Sequence, residues 1–142
     1  MTENIDPNYA GEGIYRENIL DHYQNPRNLG RIENPHINHK EFNPLCGDEI
    51  EIFLKLNSTK VVEVKFQGRG CAISQSAASM LTESLYGKTL EEIKNLTRDD
   101  IVEMLSIPIG PVRVKCAMLS LDTLKNGILI YEKYGGIGTD KE

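Results

Sequence analysis

The sequence lacks the features that would place this chain in a membrane or on nucleic acid. No apolar run approaches the roughly 20 residues that span a bilayer. Residues 1–13 are polar and acidic, without the basic and apolar regions of a secretion signal or the arginines of a transit peptide. The net charge is −5 and no basic face is clustered, which does not suit a phosphate-binding surface. We therefore expect a cytoplasmic protein with neither membrane nor nucleic acid among its partners.

Several common catalytic and cofactor-binding signatures are also absent. We find no Ser/His/Asp arrangement and no phosphate loop, and Gly68-Arg69-Gly70 lacks the third glycine of a dinucleotide-binding fingerprint. His36 and His39 follow Pro35 in a loop-like context, so we do not assign them to a metal site. His22 is expected to be a surface or capping residue of the first helix. The histidines therefore offer no strong site, and the cysteines become the main candidates for chemistry.

Cysteine is scarce and its number is odd. The three cysteines, Cys46, Cys71 and Cys116, cannot all pair within one chain. In a reducing cytosol such residues are buried hydrophobes, metal ligands or redox groups. The intervals between them are long and there is no Cys-x-x-Cys pair, so spacing alone does not predict a zinc finger.

Hydrophobic periodicity predicts a single domain over residues 14–136, between flexible tails at 1–13 and 137–142. A short amphipathic helix ends at Pro26, and residues 36–44 form a weak edge strand. A strand then turns Ile50, Ile52 and Leu54 inward and Phe53 outward, and a second strand turns Val62, Val64 and Phe66 inward.

Helices are predicted for the rest of the domain. One follows Gly70, two short ones are capped by Thr89 and Thr97, and a long last helix runs from about Arg113 to Tyr134. This order of elements is typical of an α+β fold. We expect a small antiparallel sheet of about three strands with helices packed on one face.

Each cysteine falls at a junction between predicted elements. Cys46 and Asp48 lie in the turn before the first clear strand, Cys71 at the start of a helix, and Cys116 in the first turn of the last helix. Such positions are exposed and well placed for ligands. Helix N-termini favour the thiolate form, which binds metal, and the neighbouring cations Arg69 and Lys115 favour it further.

The ligand types indicate that a bound group would be labile. Thiolates suit zinc or iron–sulfur clusters, and a carboxylate as fourth ligand holds a cluster less firmly than a fourth thiolate. Asp48 could alternatively be an Asx-turn residue that opens the strand. We interpret Cys46, Asp48, Cys71 and Cys116 as one labile metal–thiolate site.

With these residues in place, the chain resembles the IscU/NifU-type iron–sulfur cluster scaffold family from about Tyr15 to Tyr134. The matching segments are YRENILDHYQNPRNLG from Tyr15, NPLCGDE from Asn43, FQGRGCAISQSAAS from Phe66 and PVRVKC from Pro111. The resemblance implies a scaffold that accepts sulfur from a cysteine desulfurase, assembles a cluster, usually [2Fe–2S], and transfers it to apo-proteins. The family's ligand positions fall on Cys46, Asp48, Cys71 and Cys116.

Two features separate this chain from the common scaffold branch of that family. The common branch has a histidine just before the third cysteine, whereas this chain has Lys115, like the zinc-binding, sulfur-accepting branch often called SufU. The interval from Cys71 to Cys116 nevertheless lacks the insertion usual in SufU. The chaperone-recognition motif Leu-Pro-Pro-Val-Lys appears as Ile109-Gly110-Pro111-Val112-Arg113, so we do not expect dependence on a dedicated Hsp70-type chaperone.

Three functions remain open from the sequence. The favoured one is a scaffold and carrier of iron and sulfide, not a true enzyme, in which a cluster could be shared by two chains as a cluster-dependent homodimer. The second is a zinc-dependent sulfur acceptor, in which Cys116 or Cys71 attacks the persulfide of a desulfurase and Lys115 assists. The third is a purely structural zinc domain.

Overall fold

The computed structural model describes residues 17–44, 47–106 and 109–134. The predicted tails therefore lie outside the described residues, and the domain limits of 14–136 stay a prediction. The elements, in chain order, are α1 (Glu17–Gln24), β1 (Ile37–Asn43), β2 (Asp48–Asn57), β3 (Lys60–Arg69), α2 (Ala72–Ser84), α3 (Leu90–Lys94), α4 (Arg98–Leu105) and α5 (Pro111–Lys133). Within these ranges no helix has both the length and the hydropathy needed to cross a membrane.

The three strands form an antiparallel sheet in the order β1-β2-β3. Helix α5 packs on β1 and β2, and α2 packs on β3 and on α5, so the helices cover one face of the sheet. The core between these layers is apolar and continuous, and Ile52, Phe66 and Leu81 are each at most 1% exposed in it. The predicted α+β class, the three strands and the long last helix are confirmed.

The strand pattern was wrong for Val62. The register of β2 and β3 shifts between Lys55 and Leu56, so that Lys55 pairs with Glu63 while Leu56 pairs with Val61. Val62 is the extra residue of this bulge and is 50% exposed, whereas Val61 is buried in the core. A bulge interrupts the two-residue period, and simple alternation therefore assigns the wrong valine to the core.

The second error concerns Phe53, which points to the face without helices but is only 1% exposed. The guanidinium carbon of Arg31 lies 4.9 Å from the centroid of the Phe53 ring. Residues 31–35 thus cover this part of the sheet in place of a helix.

The helix caps agree with the sequence, except at the start of α5. Thr89 and Thr97 both accept a hydrogen bond from the backbone three residues later, as predicted. Helix α5 begins at Pro111, two residues before the predicted Arg113, with Gly110 as its N-cap. Proline is well suited to this first helical position because its missing N–H would have no partner there. Cys116 consequently lies in the second turn of α5, not the first.

Candidate metal centre

The candidate ligands lie at the end of the sheet where β2 begins. Asp48 is the first residue of β2, and it lies opposite Asn43 of β1. The prediction that placed Asp48 in the preceding turn was therefore wrong. Because side chains alternate along a strand, Asp48 shares the helix-facing side of β2 with Ile50 and Ile52. This placement explains how a carboxylate comes to be 1% exposed beneath the helices.

Three of the four predicted ligands come together at this point. One ligand atom each from Asp48, Cys71 and Cys116 lies within 4.8 Å of the others. Cys71 stands immediately before α2 and Cys116 lies one turn into α5, so three separate elements supply the group. The fourth predicted ligand, Cys46, lies outside the described residues.

The carboxylate of Asp48 makes two contacts with Cys71. Its Oδ1 accepts a hydrogen bond from the Cys71 backbone N–H at 3.0 Å, and its Oδ2 lies 3.6 Å from Cys71 Sγ. The two oxygens therefore have different surroundings: Oδ1 is held by the backbone and Oδ2 faces the sulfur.

Cys71 is the N-cap residue of α2. Its Sγ accepts a hydrogen bond from the backbone N–H of Ser74 at 3.5 Å, while the Ser74 hydroxyl donates to the Cys71 carbonyl at 3.2 Å. A sulfur in this position receives both an unpaired helix N–H and the positive end of the helix dipole. The predicted position of Cys71 at a helix start is confirmed, and the side chain is partly exposed.

Cys116 was expected to be exposed at a helix start, but the structure buries it. It is 4% exposed and belongs to the hydrophobic core, next to the fully buried Ala117. Because α5 begins at Pro111, Cys116 lies beyond the open first turn of the helix, and its side chain is on the core-facing side. An incoming group can therefore approach Cys71 more readily than Cys116.

The two predicted neighbouring cations lie at the surface. Lys115 is exposed, and consecutive helical residues point about 100° apart, so it does not share the direction of Cys116. Arg69 is 78% exposed at its side chain and pairs with Glu49 at 3.5 Å.

The three histidines, all within the described residues, lie away from this group. His36 Nδ1 accepts the backbone N–H of Leu56 at 3.0 Å, and His39 Nε2 lies 2.8 Å from a carboxylate oxygen of Glu41. The remaining histidine, His22, is partly buried where α1 meets α2.

His22 was predicted as a surface or capping residue, but its side chain is only 12% exposed. Its Nδ1 lies 2.7 Å from the Ser79 hydroxyl, which also accepts the backbone N–H of Arg27 at 2.9 Å. Burial, followed by the positive charge of Arg27, lowers the pKa of His22. His22 therefore joins α1 to α2 through its hydrogen bond with Ser79.

Sequence reasoning did not assign a role at this centre to Ser74 or to Gly70. Ser74 could have been found, because an N-cap residue and the residue three positions later are a known pair. Gly70 has φ of +147°, and its position beside Asp48 depends on the tertiary approach of β3 to β2. No local pattern reports such an approach.

The donor set fits a soft or borderline divalent metal. Two thiolates and one carboxylate are known ligands of zinc, and thiolates also hold iron–sulfur clusters.

These features define a small α+β domain with a candidate cysteine–aspartate metal centre at one end of its sheet. The chain belongs to the family of NifU-like N-terminal domains, whose sequence model matches residues 14–136.

Three relatives show the breadth of that family. The protein named iron–sulfur cluster assembly scaffold protein IscU 1 from Archaeoglobus fulgidus is 38% identical over 130 residues, covering 91% of this chain and 84% of that one. The zinc-dependent sulfurtransferase SufU of Bacillus subtilis is 36% identical over 132 residues, covering 81% and 89% respectively. The crystal structure of FiSufU from Fervidobacterium islandicum AW-1 matches with a TM-score of 0.70 at 31% identity, over 81% of this chain and 96% of that one.

Proposed function

We propose that this chain is a scaffold on which an iron–sulfur cluster is assembled and from which it is released. Sulfur would come from a cysteine desulfurase, iron from a separate donor, and the cluster, as [2Fe–2S], would pass to apo-proteins. The chain would act in the cytosol as a carrier and not as an enzyme. A cluster shared between two chains would make the homodimer depend on the cluster.

The observation that carries this proposal is the convergence of Asp48, Cys71 and Cys116 within 4.8 Å. Asp48 is an oxygen donor among sulfurs, and its Oδ1 is already engaged by the Cys71 N–H. A carboxylate that shares its charge with a backbone N–H is a weaker ligand than a thiolate for a soft metal. Such a ligand suits a centre whose cargo must leave.

Cys71 and Cys116 differ in their exposure to solvent, so incoming sulfur or metal would reach Cys71 first. Cys71 is partly exposed and can be reached from solvent, whereas Cys116 is buried behind it. Lys115 lies on the surface one residue before Cys116, where it would attract the anionic persulfide sulfur of a partner. Lys115→Met should therefore slow sulfur uptake, and unchanged uptake would remove Lys115 from the proposal.

The main experiment is anaerobic reconstitution with iron, cysteine and a desulfurase. The scaffold function predicts comparable amounts of bound iron and acid-labile sulfide, with visible charge-transfer absorption that is lost in Cys71→Ser. Tightly held zinc, with no cluster formed even after chelation, would contradict it.

Asp48→Ala provides a second measurement on the same reconstituted protein. It should retain its cluster longer than the unchanged chain, because the labile oxygen contact is lost and the rate of solvent-assisted release therefore falls, which is a different quantity from the equilibrium affinity for a metal ion. Glu49→Ala is the matched control, since this neighbouring carboxylate lies on the other face and pairs with Lys40 and Arg69. Faster cluster loss in Asp48→Ala than in the control would contradict this role for Asp48.

A second candidate function is a zinc-dependent sulfur acceptor for a cysteine desulfurase. It is favoured by the position of the histidines, because all three lie elsewhere and the residue before Cys116 is Lys115. This function predicts about one zinc per chain and strong stimulation of desulfurase turnover. Zinc-free chain that stimulates turnover equally well would exclude it.

A purely structural zinc site is the least favoured candidate. Such sites supply folding energy directly, so removal of the metal unfolds the domain. Here the core extends from Ile19 to Ile128 and involves every described strand and helix, so apolar packing stabilises the domain without a metal. We therefore expect chelated chain to keep its helical circular dichroism.

A further inference from the structure

Gly68, near the end of β3, and Gly70, just after it, approach the start of β2 too closely for a side chain at either position. A Cβ placed on Gly68 would overlap the backbone carbonyl oxygen of Glu49. A Cβ placed on Gly70 would overlap the carboxylate of Asp48, with Oδ1 nearest and the carboxyl carbon at 2.6 Å. Both glycines are thus required by tertiary contact with β2.

The contact at Gly70 concerns the candidate centre directly. The Asp48 carboxylate lies in the space that a side chain at Gly70 would fill. The next residue, Cys71, donates its backbone N–H to Oδ1 at 3.0 Å. Oδ2 is left on the side of Cys71 Sγ, 3.6 Å away. The space beside Gly70 therefore fixes the orientation of the Asp48 carboxylate relative to Cys71 Sγ.

We propose that Gly70 is a positioning residue for the metal centre, because its missing side chain is the space that the Asp48 carboxylate occupies. This inference rests on the proposed function, in which Asp48 and Cys71 are ligands. With Oδ1 held by the Cys71 N–H, the carboxylate is oriented with Oδ2 towards Cys71 Sγ. Any side chain at position 70 displaces the carboxylate and misaligns it with Cys71 Sγ.

Backbone strain is the competing explanation, since φ of +147° at Gly70 disfavours every residue with a side chain. Gly87 separates the two explanations. It also has a positive φ, of +84°, but a Cβ there would meet no atom within 4 Å. Gly87→Ala therefore tests a positive φ without the overlap with Asp48, whereas Asp48→Gly combined with Gly70→Ala tests the strain at position 70 itself.

The test is titration of the metal-free chain with Co²⁺, whose visible absorption reports ligand type and geometry. We expect Gly70→Ala to bind Co²⁺ about 10- to 100-fold more weakly, which is the usual effect of losing a partner that orients a ligand. Its absorption bands in the visible region should also shift. Gly87→Ala should keep the affinity and spectrum of the unchanged chain, although thermal unfolding is expected to show that both variants lose stability.

The inference would be overturned if Gly70→Ala folds, has an affinity for Co²⁺ within twofold of that of the unchanged chain, and gives the same spectrum. The proposed function would survive that result. If the unchanged chain itself binds no Co²⁺, the metal centre and the inference both fail. The two failures are therefore distinguishable in one set of titrations.

A double variant keeps the test decisive if Gly70→Ala does not fold. In Asp48→Gly combined with Gly70→Ala, the overlapping carboxylate atoms are gone and only the strain at position 70 remains. Recovery of folding in the double variant would support the proposal. A double variant that stays unfolded, while Asp48→Gly alone folds, would overturn it.

Discussion

Two buried serines on different helices should respond to alanine substitution in opposite directions. Ser120 of α5 and Ser76 of α2 are both 0% exposed. The Ser76 hydroxyl donates to the backbone carbonyl of Ile19 at 2.9 Å, and this bond ties α2 to α1. Within the part of the chain that the structure describes, Ser120 Oγ is the buried side-chain polar atom that has no hydrogen-bond partner.

The expected magnitudes follow from this difference. Both substitutions exchange serine for the better helix former and gain up to about 0.5 kcal/mol from that alone. Ser76→Ala loses a hydrogen bond whose net contribution is about 1 kcal/mol, or more when it is fully buried. Ser120→Ala instead removes a hydroxyl whose unpaired burial costs about 1–3 kcal/mol. We expect Ser120→Ala to be the more stable of the two variants by about 2 kcal/mol.

Urea denaturation of the chains in excess chelator measures this difference without a contribution from metal binding. In thermal unfolding, the two variants should differ by several degrees, at about 2–4 °C per kcal/mol for a domain of this size. Equal destabilisation by the two substitutions would refute the reasoning. It would mean that the Ser120 hydroxyl has a partner in solution, such as the Cys116 carbonyl one turn earlier in α5.

Three further predictions concern other parts of the molecule. Folding lowers the pKa of His22, so the unfolded chain binds the extra proton at a higher pH than the folded chain does. The free energy of unfolding should therefore fall as pH drops below about 6.5. His22→Gln should make the free energy of unfolding less dependent on pH in this range. Iodoacetamide should label Cys71 faster than Cys116 in the folded metal-free chain, since Cys116 is 4% exposed, and peptide mass spectrometry that finds equal rates would contradict the burial. Arg31→Ala should cost about 0.5–1 kcal/mol, the usual contribution of an exposed cation above a ring such as Phe53, and an unchanged urea midpoint would contradict it.

The sequence predicts most of the fold because its signals are local. The alternation through Ile50, Ile52 and Leu54 and the caps at Thr89 and Thr97 each depend on a few adjacent residues, and the structure confirms them. The bulge at Val62 and the burial of Phe53 depend on contacts between segments distant in the chain. Local periodicity holds no information about such contacts.

The candidate site shows the same division. The positions of Cys71 at a helix start and of Asp48 near the start of a strand follow from local pattern. Their convergence with Cys116 does not follow from spacing, because the separations are long, and only the family resemblance indicated it. The burial of Cys116 was missed because two residues of additional helix, beginning at Pro111, turn a partly open position into a core position.

The Sγ atom of Cys71 is both a helix-capping acceptor and a candidate metal ligand. Cys71 Sγ accepts the Ser74 N–H at the start of α2, a place usually taken by the oxygen of serine, threonine or aspartate. Whatever engages this sulfur also changes the strength of that cap, and by thermodynamic reciprocity the state of the helix end must change how tightly the sulfur is held. Under the proposed function, the first turn of α2 would thus be energetically coupled to the occupancy of the candidate centre. Hydrogen exchange at the Ser74 amide would report directly on loading and release.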